Sequence, residues 1–364
     1  MKNNNYKWIL WVVVFIILAA FPRVFGIYYI NFFAAFAIFS LYAVTLNLML
    51  GYMGVLSFGH AMFFGTGAYA TALALTHIQG FPLLPAVLVG GLAGGLLALI
   101  LSPLLVRVTG TAFAMLTLAF GQLIFVLALK YREVTGGEDG IGGYPIPPLH
   151  IPGVVSIDMT NQVNFYYFAV AVVAICLFIL WFYTRTPFGN VVVGVRDNAM
   201  RLDYLGFNLP QTKAINLIVC GAFAGIAGAV HALLQKLVST VGVLDISTSF
   251  APIMMAYIGG VGSFLGPVIG SGVLHLLEDL VIRFTQRIGL VNGVIFILVV
   301  LYAPTGLVGL FVAGYTLSLS TIDARFAGTA SYCASPGVSL SQLELRFRHR
   351  LLGLRRRTLP GHLG

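Results

Sequence analysis

Charge is what this chain of 364 residues has least of: Asp, Glu, Lys and Arg make up 9% of it, against 59% hydrophobic residues. Between positions 24 and 129 the one charged side chain is Arg107. Such scarcity excludes an ordinary soluble domain, whose charged fraction is about a quarter. Lysine is rarer still, and none of the lysines at 2, 7, 130, 213 and 236 follows a glycine. The chain therefore lacks the G-x-x-x-x-G-K-[ST] loop that cradles nucleotide phosphates, and any ATP is expected on separate subunits. No H-E-x-x-H occurs, and Cys176, Cys220 and Cys333 show no C-x-x-C spacing, so neither a metal site nor a disulfide frame is specified. No cofactor is expected. No nucleophile and base stand together as an intramembrane enzyme needs, and carboxylates at membrane depth, which ion-coupled secondary transporters use, are almost missing.

A formal net charge of +9 would suggest nucleic acid in a soluble protein. Here the stretch from 313 onward holds seven arginines against Asp323 and Glu344, and most of the remainder lies in short loops. No nucleic-acid partner is expected. Membrane lipid is.

What is present is apolar length. Runs at 8–21, 27–50, 61–75, 84–106, 111–129, 165–183, 214–234, 250–277 and 290–311 approach or exceed the roughly 20 residues that cross a bilayer. They are too long and too rich in Leu, Ala and Gly for barrel strands, which predicts an all-α polytopic membrane protein with about eight to ten transmembrane helices. The first run, after Lys2 and Lys7, lacks a small-x-small cleavage site and reads as a retained helix. Positive charge marks cytoplasmic loops, placing Lys2, Lys7, Arg107 and the 184–213 loop inside and the acidic 130–164 loop outside, with the N-terminus cytoplasmic. The division is a transmembrane domain over 1–312 and an Arg-rich cytoplasmic tail over 313–364, whose composition predicts disorder. Glycine-rich breaks interrupt two runs, at 51–67 and 259–270. They read either as close helix packing or as broken or re-entrant helices lining a duplicated transport path.

The 184–213 loop carries Arg185, Arg196, Asp197, Arg201, Asp203 and Lys213. Within it Val192, Val195, Ala199, Leu202 and Leu205 recur at three- and four-residue spacing, predicting an amphipathic helix over 192–205 with Asp197 and Arg201 paired on its polar face. Mixed charge on such a helix suits a cytoplasmic protein partner better than lipid headgroups, which favour excess Lys and Arg. Arg196, Asp197, Arg201 and Gly206 are the candidate coupling residues. Ser57, His60, Tyr69 and Ser263 are candidates for the path. Glu138 and Asp139, among glycines of the outer loop, are candidates for docking a binding protein. His275, Glu278 and Asp279 read as a helix terminus at the interface.

Several motifs together resemble one family: LNLMLGYMGVLSFGHAMFFGTGAYATALAL at 46–75, GTAFAMLTLAFGQL at 110–123, VTGGEDGI at 134–141, RTPFGNVVVGVRDNAMRLDYLGFN at 185–208, AGIAGAV at 224–230 and IGGVGSFLGPVIG at 258–270. Their order is similar to that of LivM-type permease subunits of bacterial branched-chain amino-acid ABC importers, from about 8 to 311. The resemblance implies an ABC importer permease fold in the inner membrane that pairs with a second, LivH-type permease. Two cytoplasmic ATPase subunits would energise it, and a periplasmic substrate-binding protein would feed it. It also implies that the 185–208 segment meets the ATPase. The chain departs from the general importer motif in having Asp203-Tyr204-Leu205 before Gly206 where Glu-Ala-Ala is usual. Permeases for urea or short-chain amides share the architecture and stand as the alternative reading.

Overall fold

The computed structural model describes residues 26–78, 80–149, 157–282, 288–302 and 306–307. The first apolar run, at 8–21, and the tail at 313–364 lie outside the described residues.

The chain folds into helices: α1 (Ile27–Asn47), which runs on into a π-turn at Leu48–Tyr52, α2 (Ala61–His77), α3 (Leu83–Leu105), α4 (Thr111–Lys130), the one-turn α5 (Arg132–Thr135), α6 (Gln162–Arg185), α7 (Pro187–Tyr204), α8 (Leu209–Gln235), the short α9 (Thr240–Leu244), α10 (Ile246–Gly259), α11 (Gly266–Ile282) and α12 (Ile288–Tyr302). Six described segments are long and apolar enough to cross a membrane. Two two-residue strands, β1 (Ile141–Gly142) and β2 (Leu237–Val238), pair antiparallel.

Helix boundaries follow local chemistry. Asn161, Thr186, Asn208 and Asp245 cap α6, α7, α8 and α10 by accepting a backbone N–H of the first turn, and Pro187 and Pro210 sit where the missing N–H costs nothing.

Direction is read from which ends meet. Ile30, Ala34 and Tyr166 form one cluster with Leu234 against it, so α1 and α6 start where α8 finishes. Along α3 and α8, Gly90 faces Ala229 and Gly94 faces Gly221, an antiparallel pair. Arg107, Arg185, Arg196, Arg201 and Lys213 therefore share the end of the bundle that carries α7, as the charge pattern predicts. Glu138 and Asp139 lie at the opposite end.

The core is built from glycine contacts. A Cβ on Gly228 would lie 1.9 Å from the Phe64 carbonyl oxygen, and one on Gly67 would lie 2.3 Å from that of Gly225. These positions hold α2 and α8 backbone to backbone, the arrangement that small residues permit inside membranes. The AGIAGAV glycines thus serve packing. Those of 258–270 serve both packing and a turn: the predicted run at 250–277 is two helices, α10 and α11, packed as a hairpin around a turn at 260–265, with a Cβ on Gly270 only 1.8 Å from the Met255 carbonyl oxygen. The run is thus broken, and Gly260 and Gly262 take the positive φ values, 117° and 87°, that the turn demands.

Candidate functional site

The residues proposed from sequence fall into three groups along the molecule. At the α7 end, the expected amphipathic helix over 192–205 is longer and broken. α7 spans Pro187–Tyr204, with Asn198 in an extended conformation (φ −161°, ψ 91°) inside it. The Asn198 side chain accepts the Arg201 N–H at 3.0 Å, so it ends one helical piece and caps the next. The second piece folds back, and Leu202 packs over Gly194. Val192 and Val195 are buried as predicted, but the break turns Leu205 out, 67% exposed. Asp197 does not pair with Arg201; it takes both Nε and Nη2 of Arg196 at 2.9 Å. Arg201 and Asp203 face solvent with Tyr204. Gly206 has φ 84°, the left-handed residue that terminates the helix, with Phe207 N–H returning to the Leu202 carbonyl.

Arg196, its side chain 41% exposed, reaches back to the end of the bundle. Its Nη1 donates to the Gly51 carbonyl at 2.5 Å, and its Cγ lies over Gly54, where a Cβ would meet it at 2.7 Å. Gly51 belongs to the π-turn, whose wide spacing, Met53 N–H to Leu48 carbonyl, leaves carbonyls available to partners. One turn earlier, buried Asn47 donates through Nδ2 to the Ser263 carbonyl at 2.9 Å and accepts the Gly262 N–H at 3.1 Å. α7, the end of α1 and the α10–α11 turn are thus linked by hydrogen bonds.

Ser263, a candidate for the path, spends its hydroxyl inside that turn, donating to the Gly260 carbonyl and accepting the Gly266 N–H, both at 3.0 Å.

Ser57 and His60 occupy the middle of the bundle, where residues 53–60 run between the π-turn and α2. Both are fully buried. His60 Nε2 lies 2.9 Å from Thr45 Oγ1, its ring stacks on Tyr42 with centroids 5.3 Å apart, and the next N–H, of Ala61, is taken by Ser249 Oγ of α10 at 3.0 Å. Ser57 Oγ and His60 Nδ1 have no protein partner. The segment crosses α4 with no room to spare: a Cβ on Gly59 would stand 1.9 Å from the Thr117 carbonyl oxygen. The two broken elements touch here, and they run in opposite directions through the bundle.

Toward the opposite end, Tyr69 Oη lies 2.8 Å from Thr240 Oγ1, which donates to the Gly137 carbonyl at 2.7 Å. Gly137 precedes the exposed Glu138 and Asp139. A chain of two hydrogen bonds therefore joins α2, α9 and the acidic 130–164 loop. Nearby, Asp158 is held below the usual carboxylate range by the Thr160 N–H and then its hydroxyl, and burial pushes the Tyr144 phenol well above its ordinary value. A cleft of about 400 Å³ opens between α2, α3 and α4, walled by Leu97, Ile124, Leu127, Ala128 and Leu244 with Tyr69 beside them.

Sequence reasoning missed Asn47, Thr45, Thr240 and Ser249. Asn47 carried a usable signal: an amide in the middle of an apolar run is costly there unless it has partners.

The described residues hold no group of three or more His, Cys, Asp or Glu that could bind a metal. Glu278 accepts from Asn292 at 2.9 Å, and Asp279 accepts from Tyr28, so the acidic pair closing α11 is tied to neighbouring helices.

Comparison with known proteins identifies the family. The family model described as branched-chain amino acid transport system / permease component matches residues 28–303. The high-affinity branched-chain amino acid transport system permease protein LivM of Salmonella typhimurium is 27% identical over 290 residues, covering 74% of this chain and 67% of its own length. A probable branched-chain amino acid transport permease protein LivH of Methanocaldococcus jannaschii is 26% identical over 269 residues, 68% of this chain and 82% of its own. The guanosine ABC transporter permease protein NupQ of Bacillus subtilis is 32% identical over 129 residues, 34% and 39% of the two chains. No solved structure gives a significant match. With its multi-pass helical bundle and a family match spanning most of its length, the chain belongs to the permease components of branched-chain amino acid transport systems.

Proposed function

We propose that this chain is the LivM-type half of an ATP-driven importer in the inner membrane, passing leucine, isoleucine and valine inward. It pairs with a LivH-type permease, is fed by a periplasmic binding protein and is driven by two cytoplasmic ATPases that bind α7. The observation that carries the reading is α7 itself: a capped, mixed-charge element at the basic end, with Arg201, Asp203, Tyr204 and Leu205 exposed on it. Positive charge marks that end as cytoplasmic, so the acidic loop and the start of α1 lie outside, and the N-terminus lies inside with the 8–21 run as a retained first span. Aliphatic walls on the cleft beside Tyr69 suit a branched apolar side chain, which gains about 25 cal/mol per Å² on leaving water. ATP binding draws the ATPases together, α7 moves with them, and the two broken elements open and close the path.

A guanosine-transporting relative favours a second reading, nucleoside import, but its similarity reaches only 34% of the chain, against 74% for the LivM relative. Proteoliposomes holding both permeases and the ATPases decide between these and the urea or amide alternative. With binding protein outside and ATP inside, labelled leucine should accumulate and unlabelled isoleucine and valine should compete. Accumulation of guanosine or urea in place of leucine overturns the substrate assignment.

A further inference from the structure

We infer that Arg196 is a positioning residue that fastens the coupling element to both broken segments at once, so that α7 moves them as one piece; this rests on the function proposed above. A charged residue on α7 is expected to reach outward to a partner. This one, though 41% exposed, is already engaged: its guanidinium is divided between Asp197, one residue along, and the Gly51 carbonyl, 145 positions away in sequence.

The surroundings are built to receive it. Gly54 and Gly262, both at positive φ (77° and 87°), flank the side chain, and a Cβ at Gly54 would strike Arg196 Cγ. Gly51 is equally confined, since a Cβ there would lie 2.4 Å from Asn47 Oδ1 and 2.5 Å from the Gly262 nitrogen. Asn47 then grips the α10–α11 turn through a donor and an acceptor, which fixes the turn's position rather than merely its distance. Gly306 closes on the far side of the same turn, its would-be Cβ 2.4 Å from the Gly260 Cα.

Both broken elements begin or end at this node. Residues 53–60 leave the π-turn immediately after Gly51, and α10 ends in the turn that Asn47 holds. A displacement of α7 passes through one guanidinium to the π-turn, and through one amide to the turn beside it. Charge-assisted hydrogen bonds to carbonyls are the stronger kind, and here the acceptor is backbone, so it moves only with the π-turn itself.

The test uses the full chain with its partner permease, ATPases and binding protein in proteoliposomes, reading ATP hydrolysed per leucine imported. Arg196→Gln should leave ATPase co-purification unchanged while raising that ratio about tenfold, equivalent to about 1.4 kcal/mol of lost coupling. Arg196→Lys, whose ammonium reaches the same carbonyl, should restore it, and Asn47→Ala should raise it through the other half of the node. If Arg196→Gln fails to accumulate in the membrane, the ratio in Asn47→Ala and Arg196→Lys decides. An unchanged ratio in Arg196→Gln or Asn47→Ala, or a raised ratio in Arg196→Lys, overturns the fastening, as does loss of ATPase co-purification in Arg196→Gln, which would make Arg196 a docking contact and leave the proposed function standing. Absence of ATP-driven uptake in the unaltered chain would instead defeat the function itself.

Discussion

Gly228→Ala is the sharpest probe of the scaffold. The added methyl would sit 1.9 Å from the Phe64 carbonyl oxygen and 2.8 Å from its carbon, so backbone meets side chain and no rotamer relieves it. Ordinary contact begins near 3.5 Å, so α2 and α8 would have to part by more than 1 Å. That separation also loosens the neighbouring contact between Gly67 and Gly225. Overpacking of a tight core typically costs about 1–3 kcal/mol, and with backbone on both sides the upper figure applies. Gly293→Ala in α12 is the control: nothing lies within 4 Å of its added methyl, and replacing a helical glycine there should stabilise by about 0.5 kcal/mol. Unfolding measured in detergent or bilayer discs should show Gly228→Ala destabilised by about 3 kcal/mol and Gly293→Ala unchanged or slightly improved. Equal stability of the two would refute the close crossing of α2 and α8.

Other outcomes follow from the same geometry. Glu138→Lys with Asp139→Lys should raise the binding-protein concentration needed for half-maximal uptake several-fold, with saturated uptake little changed; a titration of binding protein reads it. Leu127→Trp should fill the cleft and lower leucine uptake while leaving ATPase co-purification intact. Deleting residues 315–364 should leave insertion and uptake largely intact, checked by membrane fractionation and transport.

Much of the architecture is written in the apolar runs, because a membrane helix must satisfy its backbone internally and so needs an unbroken greasy segment. The long apolar helices described each fall close to a predicted run, whereas the short α5 and α9 fall in none, and the clustering of Arg107, Arg185, Arg201 and Lys213 at one end was legible from charge alone. What periodicity could not show was the break at Asn198, because an asparagine inside an otherwise helical pattern is as often tolerated as it is a cap. Nor could it show where Arg196 points. A guanidinium on the polar face of an isolated helix has no reason to turn inward, and the reason here is two glycines and a free carbonyl contributed by segments distant in sequence. The four path candidates were scattered for a similar cause: hydroxyls in apolar runs signal partners, but Ser263 finds them within its own turn, Tyr69 on α9, and Ser57 not at all.

The central claim is that α7 meets the ATPases and the acidic loop does not. A photoreactive amino acid placed at Tyr204, 83% exposed on α7, should crosslink to an ATPase subunit in membranes holding the whole transporter. The same group at Glu138 should reach the binding protein alone. An ATPase adduct from position 138, or none from position 204 in an actively transporting complex, would contradict the account.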